Sequence, residues 1–166
     1  MEKIELWQLA KYLTYELKVK GITLRSTFEV GGLDGSVVLL VGRGRVDLFD
    51  IMPYVRPLSD LIMPDENGVT DMERLAKITD SNFEKVLDSF TYSEGVAVGI
   101  YSCRYWRKDG LSYRLSFDLT NLRFFTKYAV SAINQLQLFE FLFSRHYDVF
   151  GWIEKGLALS IHDKPF

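Results

Sequence analysis

Residues 135–165, QLQLFEFLFSRHYDVFGWIEKGLALSIHDKP, decide the fold. From 135 to 147 apolar side chains occupy most of a helical circumference. Only a stripe through Glu140, Ser144 and Asp148 is polar, so the segment reads as a long helix set deep against a sheet. Asp148 is placed to cap a further turn, Gly156 to stop it, and 157–161 to form a short closing strand. His146 and His162, the chain's two histidines, both fall in this block.

Towards the N-terminus, Ile4, Leu6, Trp7, Leu9, Ala10, Leu13 and Leu17 recur mostly at helical spacing, which predicts an amphipathic helix ending before Gly21. Residues 22–30 change to a β-branched, partly alternating pattern. Gly31-Gly32-Leu33-Asp34-Gly35 then offers a tight reversal, with 36–41 as the second arm of a hairpin. A third strand over 43–52 should end at Pro53, which lacks an N–H for the ladder. Gly42-Arg43-Gly44-Arg45 has neither the Gly-Lys-Ser/Thr ending nor the following helix of a phosphate loop, and reads as a kink between strands. Residues 53–61 read as an extended crossing, and PDENGVT at 64–70 as a mobile loop.

In 71–90, Met72, Leu75 and Ile78 keep helical spacing, 79–82 offers caps, and Phe83, Val86, Leu87 and Phe90 suggest a second short helix. Past Gly95, residues 96–107 read as a strand, Lys108-Asp109-Gly110 as a type I′ hairpin reversal and 111–119 as the return strand. Aromatic content makes 123–128 a further strand. The expectation is one α+β domain over 1–166. Antiparallel hairpins form a sheet packed by an N-terminal helix and a long C-terminal helix, with a short, acidic helical insert. A division into two lobes would fall at 64–70.

An apolar fraction of 48% with 14% aromatics suffices for a real core in a chain of 166 residues. The net charge of −2 removes any global electrostatic case for nucleic acid or an anionic membrane. One cysteine, Cys103, precludes an internal disulfide, and with two histidines it is too little for an ordinary zinc site. The N-terminus lacks the charged start and apolar region of a signal peptide, and no apolar run approaches a membrane span. These features imply a cytoplasmic protein without membrane association, metal or cofactor.

The small net charge hides an asymmetry. Residues 47–94 carry eleven acids against four bases, and 101–128 carry six bases against two acids. In the basic stretch Arg104, Trp106 and Lys108 alternate with Cys103, Tyr105 and Arg107, and Arg114 lies across the expected hairpin. Strand alternation gives each face an arginine and an aromatic, a combination that engages protein surfaces or stacks bases and neutralises phosphates. A sheet edge kept in solution by arginines over its own rings accounts for the same residues.

His146 beside Asp148 suggests acid–base chemistry, but helical geometry turns near neighbours apart, and a histidine near a helix C-terminus suits the helix dipole. His162 and Asp163 lie in a tail expected to fray. Asp47, Asp50, Asp60, Asp65 and Glu66 match no metal-binding spacing, and Cys103 in mid-strand reads as a small core residue.

The phrase 146–159, HYDVFGWIEKGLAL, taken with RPLSDL at 56–61 and LAKYL at 9–13, resembles uncharacterised proteins encoded by phages, prophages and mobile elements of gut Bacteroidetes. That group usually has a Pro- and Gly-containing stretch after its first helix, where this chain reads Thr14-Tyr15-Glu16. The resemblance covers both ends and the RPLSDL segment. It implies a mobile-element context in a bacterial host and carries no activity or catalytic residue. The resulting expectation is a non-enzymatic accessory protein recognising a host or phage protein, with Arg104, Tyr105, Trp106, Arg107, Lys108 and Arg114 as candidate contacts. Nucleic-acid binding by the hairpin 103–114 is the alternative, and a metal-dependent hydrolase ranks third.

Overall fold

A computed structural model describes residues 3–23, 26–34, 37–79, 82–86, 91–93, 100–118, 123–126 and 135–163. In chain order the elements are helix α1 (Leu6–Ala10) and strands β1 (Lys18–Gly21), β2 (Thr27–Asp34), β3 (Val37–Leu40), β4 (Gly44–Asp47) and β5 (Ile51–Val55). Helix α2 (Asp71–Thr79) precedes β6 (Phe83–Val86), β7 (Thr91–Ser93), β8 (Ile100–Arg107), β9 (Ser112–Asp118) and β10 (Arg123–Thr126). Helix α3 (Gln135–Ser144) and β11 (Leu159–Ser160) follow. The fold is α+β. The chain divides into two compact units, one comprising residues 1–58 and 140–166 and the other residues 59–139.

The first unit is built on a six-stranded sheet in the order β11-β5-β1-β2-β3-β4, antiparallel except where β11 runs parallel to β5. Val19, Val30, Val38, Leu40 and Val55 from its strands join Leu9, Tyr12, Leu17 and Trp152 in the core. Tyr12 is the hub. Its ring meets Phe143 edge-on at 5.0 Å and Trp152 at 5.5 Å, and its hydroxyl donates to the Tyr147 carbonyl at 2.7 Å. Burial is the main cause that holds the Tyr12 phenol far above its ordinary pKa.

The N-terminal segment departs from the single helix expected over 4–17. α1 covers five residues, a 3₁₀ turn follows at Leu13–Tyr15, and Glu16 adopts a left-handed conformation that turns the chain into β1. Gly31 and Gly32 lie inside β2, at a bulge between Val30 and Gly32, and β2 continues to Asp34 opposite Val37. Pro53, expected to end a strand, lies within β5 opposite Val19. The Ile22 N–H donates to the Asp50 carbonyl at 2.8 Å, and antiparallel alternation from that pair makes Val19–Pro53 a pair that exchanges no ladder bonds. Proline costs little there. Instead of an extended crossing, the chain runs from β5 into a 3₁₀ turn at Leu58–Ile62.

The second unit has a five-stranded antiparallel sheet, β10-β9-β8-β6, with β7 also paired to β8. Residues 64–70, expected to be mobile, are tied down. Pro64 bridges Thr70, and the Asp65 carboxylate accepts the N–H groups of Asn67 (2.8 Å) and Val69 (3.0 Å) and pairs with Arg74. These contacts, led by Arg74, lower the Asp65 pKa to about 2. Thr70 and Glu73 form a reciprocal capping box at the start of α2. The second helix expected after it is strand β6, whose Phe83 stacks on Tyr105 at 5.3 Å.

The β8–β9 hairpin forms as expected, with a different turn. The Gly110 N–H donates to the Arg107 carbonyl and the Arg107 N–H to the Leu111 carbonyl. Gly110 has φ +79° while Lys108 and Asp109 keep negative φ, so this is a three-residue loop closed by a glycine bulge, not a type I′ turn. The strand expected at 123–128 is present as β10 over Arg123–Thr126. Gly35, Ser36, Asp80, Ser81, Leu87, Phe90, Gly95, the strand start at Val96, Leu119 and Tyr128 lie outside the described residues.

The opening block keeps its order of helix, capped turn and strand, but the helix expected to reach 147 ends at Ser144, before the left-handed backbone of His146 (φ +59°). Both Asp148 oxygens accept backbone N–H groups, from Trp152 and Ile153 at 2.8 Å each. Gly156, with φ +68°, ends the capped turn. β11 then pairs Leu159 with Tyr54 and Ser160 with Val55.

Candidate functional site

The β8–β9 register sorts the candidate residues by face. Arg104 is paired with Arg114, Trp106 with Ser112 and Ser102 with Ser116, while Tyr105 is paired with Tyr113 and Cys103 with Leu115. Directly paired residues share a face. β6 adds Lys85 opposite Trp106. One face therefore carries Lys85, Arg104, Arg114, Trp106, Ser102 and Ser112, with the buried Ser116 and then Asp118 further along β9. The three cations are exposed and the Trp106 ring is half-buried.

The other face is core. Tyr105, at 3% exposure, and Phe117, at 0%, are buried, and Phe83 is stacked on Tyr105. Arg107 lies on this side with its guanidinium bound to Asp109 at 3.0 Å. Lys108 is exposed in the turn, where its N–H donates to the Asn82 carbonyl at 2.9 Å. The structure thus brings Arg104, Trp106 and Arg114 together on one surface, with Lys108 in the adjoining turn, and directs Tyr105 and Arg107 elsewhere. The expected arginine-plus-aromatic pair on each face reduces to one exposed set.

Lys85 was missed by sequence reading, because residues 83–90 look like a helix and a helix offers no cross-strand neighbour. Once 83–86 is a strand, its one lysine lands beside Trp106. Arginines directly opposite each other across an antiparallel pair disfavour the sheet by about 0.2–1 kcal/mol.

The other candidates are structurally committed. His146 has φ +59°, and its Nε2 lies 2.6 Å from the Tyr15 carbonyl; since a carbonyl only accepts, Nε2 carries the hydrogen. Burial depresses the His146 pKa, with Lys18 and Arg56 acting in the same direction. Both Asp148 oxygens serve the following turn, and burial raises its pKa despite those bonds. The two side chains therefore work separately. Among the described residues no group of three or more His, Cys, Asp or Glu side chains is placed to hold a metal ion, and no helix is long and apolar enough to cross a membrane.

Compared with known protein families, curated proteins and solved structures, the chain matches none.

Proposed function

We propose that this protein is a non-enzymatic recognition module that binds an acidic protein surface through the face bearing Lys85, Arg104, Trp106 and Arg114. The carrying observation is the cross-strand register. It sets Arg104 directly opposite Arg114 and puts Trp106 next along β8 on the same exposed face. Exposed arginines beside a half-buried tryptophan combine charge with an apolar anchor, the pairing enriched where protein partners bind most tightly. The mobile-element setting and a host or phage partner rest on the resemblance carried by HYDVFGWIEKGLAL and RPLSDL.

A single-stranded nucleic acid is the second reading, favoured by the alternation of cations with an aromatic on a sheet. Burial of Tyr105 counts against it. Sheets that read single strands stack two or three bases, and Tyr105 lies in the core, away from that role.

Capture from an extract of a lysogenic host, with the natural protein and R104E/R114E as paired baits, tests the proposal. A protein retained by the former and lost from the latter is the expected result. An identical retained set with both baits overturns it. Retention that disappears on nuclease treatment moves the assignment to the second reading.

A further inference from the structure

The first unit contains a cavity of about 300 Å³ that the recognition face does not use. Ile4, Leu48 and Ile51 line it and are buried at 8%, 9% and 4% exposure, whereas Ile22 and Phe49, at 50% and 63%, stand open to solvent. Its remaining lining comes from Met52, Gly156 and Leu157, together with one charged side chain, Lys3. The Lys3 ammonium lies 4.5 Å from the centroid of the Phe49 ring. That contact holds a positive charge against an apolar wall of the cavity.

We infer that this cavity binds a small amphiphile with a single anionic head, of the chemical class of a medium-chain carboxylate. The apolar chain would cover Ile4, Ile22, Leu48 and Ile51, and the carboxylate would meet Lys3. The charge pattern selects the head: among the described residues the lining holds one cation and no acid, so an anion gains a partner that a cationic or neutral head does not. The volume sits at the lower end of small-molecule sites, and the mainly apolar lining lacks, among the described residues, the several polar side chains a nucleotide or sugar requires. Part of the frame is pre-formed. Ile51 and Met52 belong to β5, and the hydrogen bond from the Ile22 N–H to the Asp50 carbonyl ties Ile22 to the residue just before that strand.

The test is a calorimetric titration of the full chain with decanoate, decanol and decyltrimethylammonium below their aggregation concentrations, repeated on Lys3→Glu. Lys3 is exposed, so the variant folds, as circular dichroism would verify. Decanoate should bind saturably with one site, shift the methyl resonances of Ile4, Ile22, Leu48 and Ile51, and weaken by about tenfold or more in Lys3→Glu. Decyltrimethylammonium should show the opposite preference for the variant. The inference is overturned if decanoate does not saturate, if decyltrimethylammonium binds the natural protein as well as decanoate does, or if Lys3→Glu leaves decanoate affinity unchanged.

Discussion

At the scale of single residues, the His146-Tyr147-Asp148 run shows how side chains that suggest catalysis can be used for structure. Tyr147 is fully buried, with the Arg56 guanidinium 4.6 Å from its ring centroid, and the backbone on either side of it bonds to Arg56. His146 bonds to Tyr15 and Asp148 to the following turn. Because the folded His146 pKa lies below its ordinary value of about 6.5, the ring is neutral in both states above that pH. Below it the unfolded chain takes up a proton that the folded chain resists, so stability falls with pH until the folded pKa is passed. Urea titrations at about pH 7 and about pH 5 should show this loss, and His146→Asn, which tolerates the left-handed backbone, should reduce it. An equal loss in the variant would contradict the assignment. Asp148→Ala removes the acceptor for two buried-side N–H groups and should cost about 1–2 kcal/mol in the same titrations, with Asp148→Asn milder. A change below about 0.5 kcal/mol would show that the cap is unimportant.

At the scale of elements, the sequence was most legible where one pattern acted alone. Asp148 with Gly156 states a local geometry that the structure contains, and Lys108-Asp109-Gly110 marks a hairpin reversal that forms at that place with a different turn. Legibility failed where tertiary pairing overrode local pattern. Phe83 and Val86 have helical spacing, yet β8 offers an open ladder and Phe83 a stacking partner in Tyr105, so the segment is a strand. Residues 64–70 have a loop composition, but sequence does not show that Asp65 will meet Arg74 nine positions on. The Thr70-x-x-Glu73 capping box was available as a signal and was overlooked. Thr70→Ala should lower stability by about 1 kcal/mol, read from the denaturation midpoint. Gly110→Ala forces a left-handed alanine and should cost about 1–2 kcal/mol, with Gly110→Asn costing less. Equal stability of Gly110→Ala and the natural chain would mean that the turn relaxes to another geometry.

The whole molecule separates structural from recognitional use of the same residue types. Tyr105 and Trp106 are neighbours in β8, one in the core and one at the surface, and the sheet's pleat is the entire difference. Stability and binding should divide accordingly. Tyr105→Ala should destabilise by about 3 kcal/mol or more through a core cavity, while Arg104→Ala should stay within about 0.5 kcal/mol. The excess of acids over bases in 47–94 likewise concealed Lys85, a cation that belongs with the basic hairpin once β6 is in place. Composition could locate the basic stretch, but only register could choose which of its side chains share a surface. The most direct test follows the Trp106 indole N–H resonance in a two-dimensional ¹⁵N–¹H spectrum as a glutamate-rich peptide, or separately a thymidine oligonucleotide, is added. The account predicts a saturable shift of Trp106 with the acidic peptide, little change at the buried Trp152, and loss of the Trp106 shift in R104E/R114E. A Trp106 resonance that responds to neither ligand, or that shifts equally in the charge-reversed protein, would contradict it.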